Sequence, residues 1–303
     1  MVTVGCKCSY RLRGGLLHTL RGAIIFALLW VSTTALGDGA VWRVSSASGV
    51  LYIGGTLHLL SEEDYPLPDA YDRAYAEADS LVLEADLKLI ESPEFQQLLA
   101  SRMLYPPGEA LAMHLSPEVY RQLEEYCRSR GYPMAMIQNF RPGMVSVTLS
   151  VLEMQRLGMA GTGVDQHFYQ RALADRKPID VLESVEEQLA AIASMGEGEE
   201  DEMILNTLND LQMLPTALNS VKQAWREGDL LRLDEEVMQP MQRDYPRIYR
   251  QLLVDRNSAW LEKLERLLAS PQPELVLVGA LHLVGEAGVL QRLSNLGYRV
   301  ERW

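Results

Sequence analysis

From Val41 to Ile53 apolar and polar residues alternate at strand spacing on either side of a turn at Ser46 to Gly49. This predicts a hairpin that runs into Leu51-Tyr52-Ile53-Gly54. Between Pro66 and Asp79 the spacing changes to that of a helix, with Tyr71, Ala74, Tyr75 and Ala78 on one face. The run Ser80-Leu81-Val82-Leu83-Glu84 then suits a buried strand ending in an acid. The chain therefore opens as strand, helix, strand.

Residues 93–270 read as mainly helical. Helices are predicted over Pro93 to Arg102, Pro117 to Arg130, Gly143 to Leu157, Gln166 to Ala174, Val185 to Met195, Asp201 to Glu227, Asp229 to Met238 and Tyr245 to Ala269, with a short strand at Pro178 to Leu182. Gly228-Asp229 offers a helix-ending glycine followed by a capping aspartate. The acidic run Gly196 to Glu202 lacks the ordered alternation of a calcium loop and reads as a solvated linker. At the far end, Glu274-Leu275-Val276-Leu277-Val278 is a second buried strand, followed by helical spacing through Val289, Leu290 and Leu293 and a final strand from Gly297. The pattern predicts an α/β fold: a central mixed sheet formed by the two ends of the chain (41–92 and 271–303), with a large helical insertion between two related halves.

Composition changes the picture at the amino end. Residues 1–37 carry Lys7, Arg11, Arg13 and Arg21, no acid, and an apolar run from Gly22 to Leu36. This is the pattern of an export signal, with cleavage expected before Asp38 and an uncleaved anchor as the alternative. The expected location is periplasmic or secreted, and the expected domain is 38–303. Removing those four basic residues moves the net charge from −13 to −17, which speaks against nucleic acid as a partner. Cys127 would then be the one cysteine left, with no partner for a disulfide and no neighbours that activate a thiol.

The candidate chemistry lies in a tetrad that occurs twice, Gly55-Thr56-Leu57-His58 and Gly279-Ala280-Leu281-His282, each time directly after a strand-like run. In an open sheet with helical crossovers, ligands collect beyond the carboxyl ends of strands. Both imidazoles and Glu84 are expected on that rim, the motif glycines Gly55 and Gly279 letting the backbone turn sharply. Two imidazoles and a carboxylate make a common ligand set for a divalent transition metal with a position left open for water. There is no His-Glu-x-x-His, Cys-x-x-Cys or Gly-x-Ser-x-Gly motif, and no nucleotide cofactor is expected. His114 reads as structural. In Gly161-Thr162-Gly163-Val164-Asp165-Gln166-His167, Asp165 reads first as a helix cap, with Asp165 or His167 near the rim as the functional alternative. Arg256 and Trp260 share one face of the last long helix, where the arginine either holds an anion or makes a surface ion pair.

Together these residues resemble the TraB/PrgY/GumN family, which is related to the TIKI metalloproteases and more distantly to erythromycin esterases and ChaN-like proteins. The likeness is carried by Leu51 to His58, Leu83-Glu84, Gly163-Val164-Asp165, Leu182-Glu183 with Gln188, Trp225 with Gly228-Asp229, Arg256-Asn257 with Trp260, and Val278 to Leu283 with Gly285 and Gly288. It spans about Val41 to Trp303. The resemblance implies both tetrads in one cleft and, from the TIKI branch, metal-dependent cleavage of peptide bonds. By that likeness His58 and His282 would be the paired histidines, Glu84 the acid and Arg256 the basic group, with Asn257 beside it a secondary candidate.

The expected function is a hydrolase, peptidase-like, using Mn, Co or Zn. The alternative is a non-catalytic binder that sequesters a peptide or small molecule. Neither substrate nor oligomeric state is legible in the sequence, and a membrane enters only through an uncleaved anchor.

Overall fold

The computed structural model describes residues 39–89 and 92–303. The segment read as an export signal lies outside the described residues. Among the described residues eight strands occur: β1 (Val41–Ser45), β2 (Val50–Thr56), β3 (Leu59–Leu60), β4 (Ser80–Leu83), β5 (Gly161–Thr162), β6 (Ile179–Val181), β7 (Glu274–Gly279) and β8 (Arg299–Arg302). Six of them form one mixed sheet in the order β6-β4-β7-β2-β1-β8. The four from β6 to β2 are mutually parallel, and β1 runs antiparallel between β2 and β8. The predicted hairpin is β1–β2, paired from Val41 with Gly54 to Ser45 with Val50.

The interleaving of the two chain ends is the main feature of the sheet. Strand β7 lies between β2 and β4, so the last strand-rich segment separates the two parallel strands of the first. Sequence-distant runs are thereby neighbours, with Gly55 opposite Val278 and Thr56 opposite Gly279. The two tetrads leave adjacent strands one position out of step. Both strands read as continuous apolar runs because helices cover both faces and bury almost every residue.

The helices are α1 (Asp69–Glu77), α2 (Pro93–Met103), α3 (Pro117–Arg130), α4 (Pro142–Arg156), α5 (Val164–Asp175), α6 (Val185–Ala193), α7 (Glu200–Glu227), α8 (Leu230–Leu233), α9 (Gln239–Asp244), α10 (Pro246–Tyr249), α11 (Asp255–Leu268) and α12 (Val289–Asn295). Their boundaries reflect local chemistry. Ser92 and Ser184 each accept a backbone N–H from three residues on, and Ser184 forms a capping box with Glu187. Gly228 takes φ +61° to end α7, and Asp229 caps α8 through the Arg232 N–H at 3.1 Å, as the Gly-Asp pair predicts. Two π-helical turns, Asp234–Met238 and Arg250–Val254, interrupt the stretch between α8 and α11. Each shifts the phase of the next helix relative to a continuous α-helix.

The middle is more than a helical insertion. It donates β6 to the edge of the main sheet, at the predicted Pro178 to Leu182, and β5 to a separate two-stranded sheet with β3. It also has its own core, in which Leu123 of α3, Val145 and Leu149 of α4, and Ile204 and Leu208 of α7 pack together. Within that lobe Glu153 is fully buried and neutralised by Arg130 and Arg156. Among the described residues no helix is long and apolar enough to cross a membrane.

Candidate functional site

The end of β2 is held from beneath. The Gly55 carbonyl accepts from the Trp225 indole at 2.8 Å and from the Tyr71 hydroxyl, both buried. A Cβ on Gly55 would stand 3.0 Å from the Ala280 Cα, so the two tetrads pack backbone to backbone at this point. Beyond it, the amino end of α5 closes on the His58 turn: Val164 N–H donates to the Leu57 carbonyl at 3.1 Å, and a Cβ on Gly163 would lie 2.2 Å from the His58 carbonyl oxygen. That approach requires glycine. The next turn is fixed from α7, where Lys222 pairs with Asp64 at 2.7 Å and Arg226 donates to the Asp64 carbonyl at 2.6 Å.

In this setting Asp165 does not cap α5. Gly163 is the capping position, and the Asp165 carboxylate turns to His58, with Oδ2 3.0 Å from Nδ1. The His58 side chain is 65% exposed. Desolvation works against its charged form, but the hydrogen bond and charge of Asp165, joined by the charge of Glu84, prevail and push its pKa up to about 9. The Glu84 and Arg256 charges both act on it, so His58 belongs to the electrostatic neighbourhood of the buried cluster.

That cluster is centred on Arg256. The π turn at Arg250–Val254 directly precedes α11, and Arg256 enters from the first turn of that helix, Nη1 donating back to the Leu252 carbonyl at 3.2 Å. Its Nη2 lies 2.7 Å from Glu84 Oε2 and 2.5 Å from Glu183 Oε1, and Nε lies 3.0 Å from Glu183 Oε2. Glu183 also accepts from the Trp260 indole at 3.1 Å, while Gln188 donates to Glu84 Oε2 at 3.3 Å. Glu84 Oε1 takes the Gly279 N–H at 2.6 Å, which ties the acid of one half of the sheet to the tetrad of the other. The remaining Arg256 contact, Nη1 to His282 Nε2 at 3.1 Å, identifies the histidine tautomer. A guanidinium only donates, so Nε2 accepts and the ring proton sits on Nδ1, which is 2.6 Å from Asn257 Oδ1. Asn257 in turn donates to the Ala287 carbonyl at 2.9 Å.

Glu84, Glu183, Asn257, Trp260 and His282 are all buried. Burial opposes charge on Glu84, yet His282, which is positive only in acid, with the Arg256 and His58 charges and the Gly279 N–H, holds its carboxyl down at about 2. Burial pushes Glu183 the other way, above the usual carboxylate range, against the pull of Arg256. For His282 burial is again the largest cause, aided by the Arg256 charge, and lowers its pKa to about 4. Near neutral pH these three groups are therefore a charged His58, a neutral His282 and a carboxylate on Glu84.

The predicted residues fall into place unevenly. Glu84, Arg256, Asn257 and His282 are in direct contact, whereas His58 is bonded to Asp165 and linked to them only through the charges of Glu84 and Arg256. His167 is not with them: its ring packs against Tyr65 and Phe168, 5.5 and 5.0 Å between centroids. His114 is stacked on Tyr105 and bonded to Glu109, away from the cluster. Cys127 is buried, which pushes its thiol up to about 11. Glu183 and Gln188, which enter the sequence reading only through the family likeness, are full members of the cluster, and Leu182-Glu183 directly after a short strand is the signal that could have placed the acid there.

In donor chemistry the set suits a divalent ion, since each imidazole has Nδ1 committed to a second residue and Nε2 directed elsewhere. In placement it is incomplete. Glu84 Oε1 and His282 Nε2 are 3.8 Å apart, but among the described residues no three His, Cys, Asp or Glu side chains gather closely enough to hold an ion. The cation on His282 Nε2 and Glu84 Oε2 is Arg256 itself.

Comparison with known proteins gives the family of the chain. A sequence profile of the TraB/PrgY/gumN family matches residues 40–302. The chain is 27% identical over 243 residues to "Uncharacterized protein YbaP" of Escherichia coli (strain K12), covering 79% of this chain and 86% of that protein. A protein of the same description from Shigella flexneri matches equally. No solved structure matches the chain significantly.

Proposed function

The chain belongs to the TraB/PrgY/gumN family, and from that membership and the rim cluster we propose that it is a hydrolase, peptidase-like, whose substrate carbonyl is received between His58 and Arg256. The observation that carries this reading is the division of labour between the histidines: a solvent-reached imidazole backed by a carboxylate, beside a buried neutral one backed by an amide.

His58, His282 and Glu84 are the residues that would hold a divalent ion such as Mn, Co or Zn. Such an ion would polarise the carbonyl and bring the pKa of a bound water toward about 7. Asp165 fixes the His58 ring; without an ion it keeps the ring protonated near neutral pH, able to give a proton to a departing amine, whereas an ion on His58 would first have to displace that proton. Arg256, held by Glu183, whose other side is bonded to Trp260, acts on a developing oxyanion through its fixed charge, its N–H groups being already committed within the cluster. Asn257 holds His282 in one tautomer. The export compartment completes the proposal, on residues 1–37 alone.

The test is hydrolysis of a peptide library by the purified protein with and without chelator, and with Mn²⁺, Co²⁺ or Zn²⁺ restored. Cleavage that disappears in chelator, returns with metal and is lost in both His58→Ala and His282→Ala supports the full reading. Cleavage indifferent to chelator keeps the hydrolase and removes the ion. Retention of peptides without cleavage under any condition overturns the hydrolase and leaves the sequestering binder.

A further inference from the structure

Beside the His58–Asp165 pair the molecule has a cavity of about 420 Å³ that the cluster does not use, lined by Ser61, Glu62, Tyr65, Thr162, His167 and Gln170 among others. Its walls are continuations of the segments that carry the pair. Ser61 and Glu62 come after His58 across β3, while Thr162 and His167 flank Asp165 across β5 and the start of α5. The Tyr65 hydroxyl donates to the Thr162 carbonyl at 2.9 Å and feels the charge of Asp165. The hollow is open to solvent rather than enclosed, with room for one long side chain laid against its wall.

We propose that this cavity is the subsite for a basic side chain, arginine or lysine, of the peptide that the hydrolase reading assigns to the neighbouring rim. Glu62 supplies the charge. It is exposed, and among the described residues its carboxylate makes no ion pair, whereas Asp64, two residues on, is already neutralised by Lys222. Among the described residues no cationic side chain lines the cavity. The nearest arginine of α5, Arg171, is turned away onto Asp72 and the rings of Tyr75 and Phe168. The Tyr65 and His167 rings offer faces to a guanidinium or ammonium group, and burial keeps His167 in its neutral form. The Gln170 amide and the Thr162 hydroxyl supply acceptors around the rim, while the Ser61 hydroxyl is already engaged by Asp64 and Lys222. This gives His167 a part that the tetrads do not: it shapes what enters rather than what reacts.

The proposal rests on the hydrolase reading for its substrate, but its test does not need turnover. Fluorescent, end-blocked pentapeptides Ala-Ala-X-Ala-Ala, with X as arginine, lysine, leucine or glutamate, are titrated by anisotropy into the full chain carrying His58→Ala, with and without Glu62→Lys. Arginine and lysine peptides are expected to bind about tenfold tighter than the glutamate peptide, the combined effect of one exposed ion pair and one cation–π contact. Glu62→Lys should abolish or reverse that order while leaving the leucine peptide within about twofold, and Glu62→Gln should fall between the two. Glu62 is on the surface, so unchanged circular dichroism and melting are expected of both variants.

Equal binding of all four peptides, binding of none, or a basic preference that survives Glu62→Lys overturns the subsite. A basic preference lost in Glu62→Lys supports it even if the protein with His58 intact cleaves nothing, in which case the hydrolase reading fails alone. Cleavage whose KM is indifferent to X removes the subsite and leaves the hydrolase.

Discussion

The two Gly-x-x-His tetrads are alike in sequence and lie on adjacent parallel strands, yet the protein uses them in opposite ways. The first ends in a histidine open to solvent, partnered by a carboxylate and shifted toward the charged form. The second ends in a buried histidine, partnered by an amide and an arginine and shifted toward the neutral form. Their glycines differ as well, since Gly55 is pressed against Ala280 while a Cβ on Gly279 would meet nothing closer than Glu84 Oε1 at 3.4 Å. A repeated motif thus specifies where a side chain leaves the sheet. What the side chain becomes is decided by the elements packed over it.

The strongest attack on this comparison is at the buried side. Arg256→Met leaves Glu84 and Glu183 buried without their cation and is expected to cost about 3–5 kcal/mol in denaturant unfolding. Asp165→Asn, at the exposed histidine, should cost under about 1 kcal/mol. Equal losses would mean that the two regions are not energetically distinct.

Asn257→Ala comes next, at about 1–3 kcal/mol, because it strips a buried Nδ1–H of its acceptor. Among the glycines, Gly163→Ala forces the His58 turn away from α5 and is expected to cost about 1–3 kcal/mol. Gly279→Ala, at φ −50° and ψ 136° with ordinary contacts, should be neutral or stabilising by about 0.4–1 kcal/mol although it alters the motif. A large loss at Gly279 would show a crowding that the geometry does not have.

The finest test is spectroscopic. Proton NMR of the imidazoles should find one ring titrating at about 9 and another at about 4, and Asp165→Asn should bring the first down toward 6.5 while leaving the second in place. Stability responds to pH with matching signs. The His58–Asp165 contribution is complete below pH 6.5 and is lost as pH rises through about 9. His282 and Glu84, both lowered, act at the acid end: stability falls as pH drops from 6.5 through about 4 for the histidine, and from 4.5 through about 2 for the carboxylate.

Much of this arrangement is legible in the chain because strand ends are legible. His58, Glu84 and His282 each come after an apolar run, and parallel strands bring the residues just past their carboxyl ends to one rim. Helices such as Pro117–Arg130 and Glu200–Glu227 announce themselves through spacing and caps. Glu183 is harder to place because β6 has three residues and joins the sheet through a pairing with β4 that no local pattern encodes. The two-residue strands β3 and β5 are too short for any periodicity. Asp165 and His167 illustrate a different limit. They are two apart on a helix, hence on opposite sides of it, and only the packing of α5 decides that the acid reaches His58 while the ring faces the cavity.

Because β7 occupies the middle of the parallel strands, the pocket cannot be assembled in the order in which a ribosome delivers it. The strands on either side, β2 and β4, emerge early and must be held apart, or paired provisionally, until a segment synthesised long afterwards slides between them. A nascent chain halted short of Glu274 would carry His58 and Glu84 but no Gly279 to bond the acid and no His282 to face the arginine. Such a product would hold an acid and an imidazole with none of the polar bonds that join the two halves of the sheet.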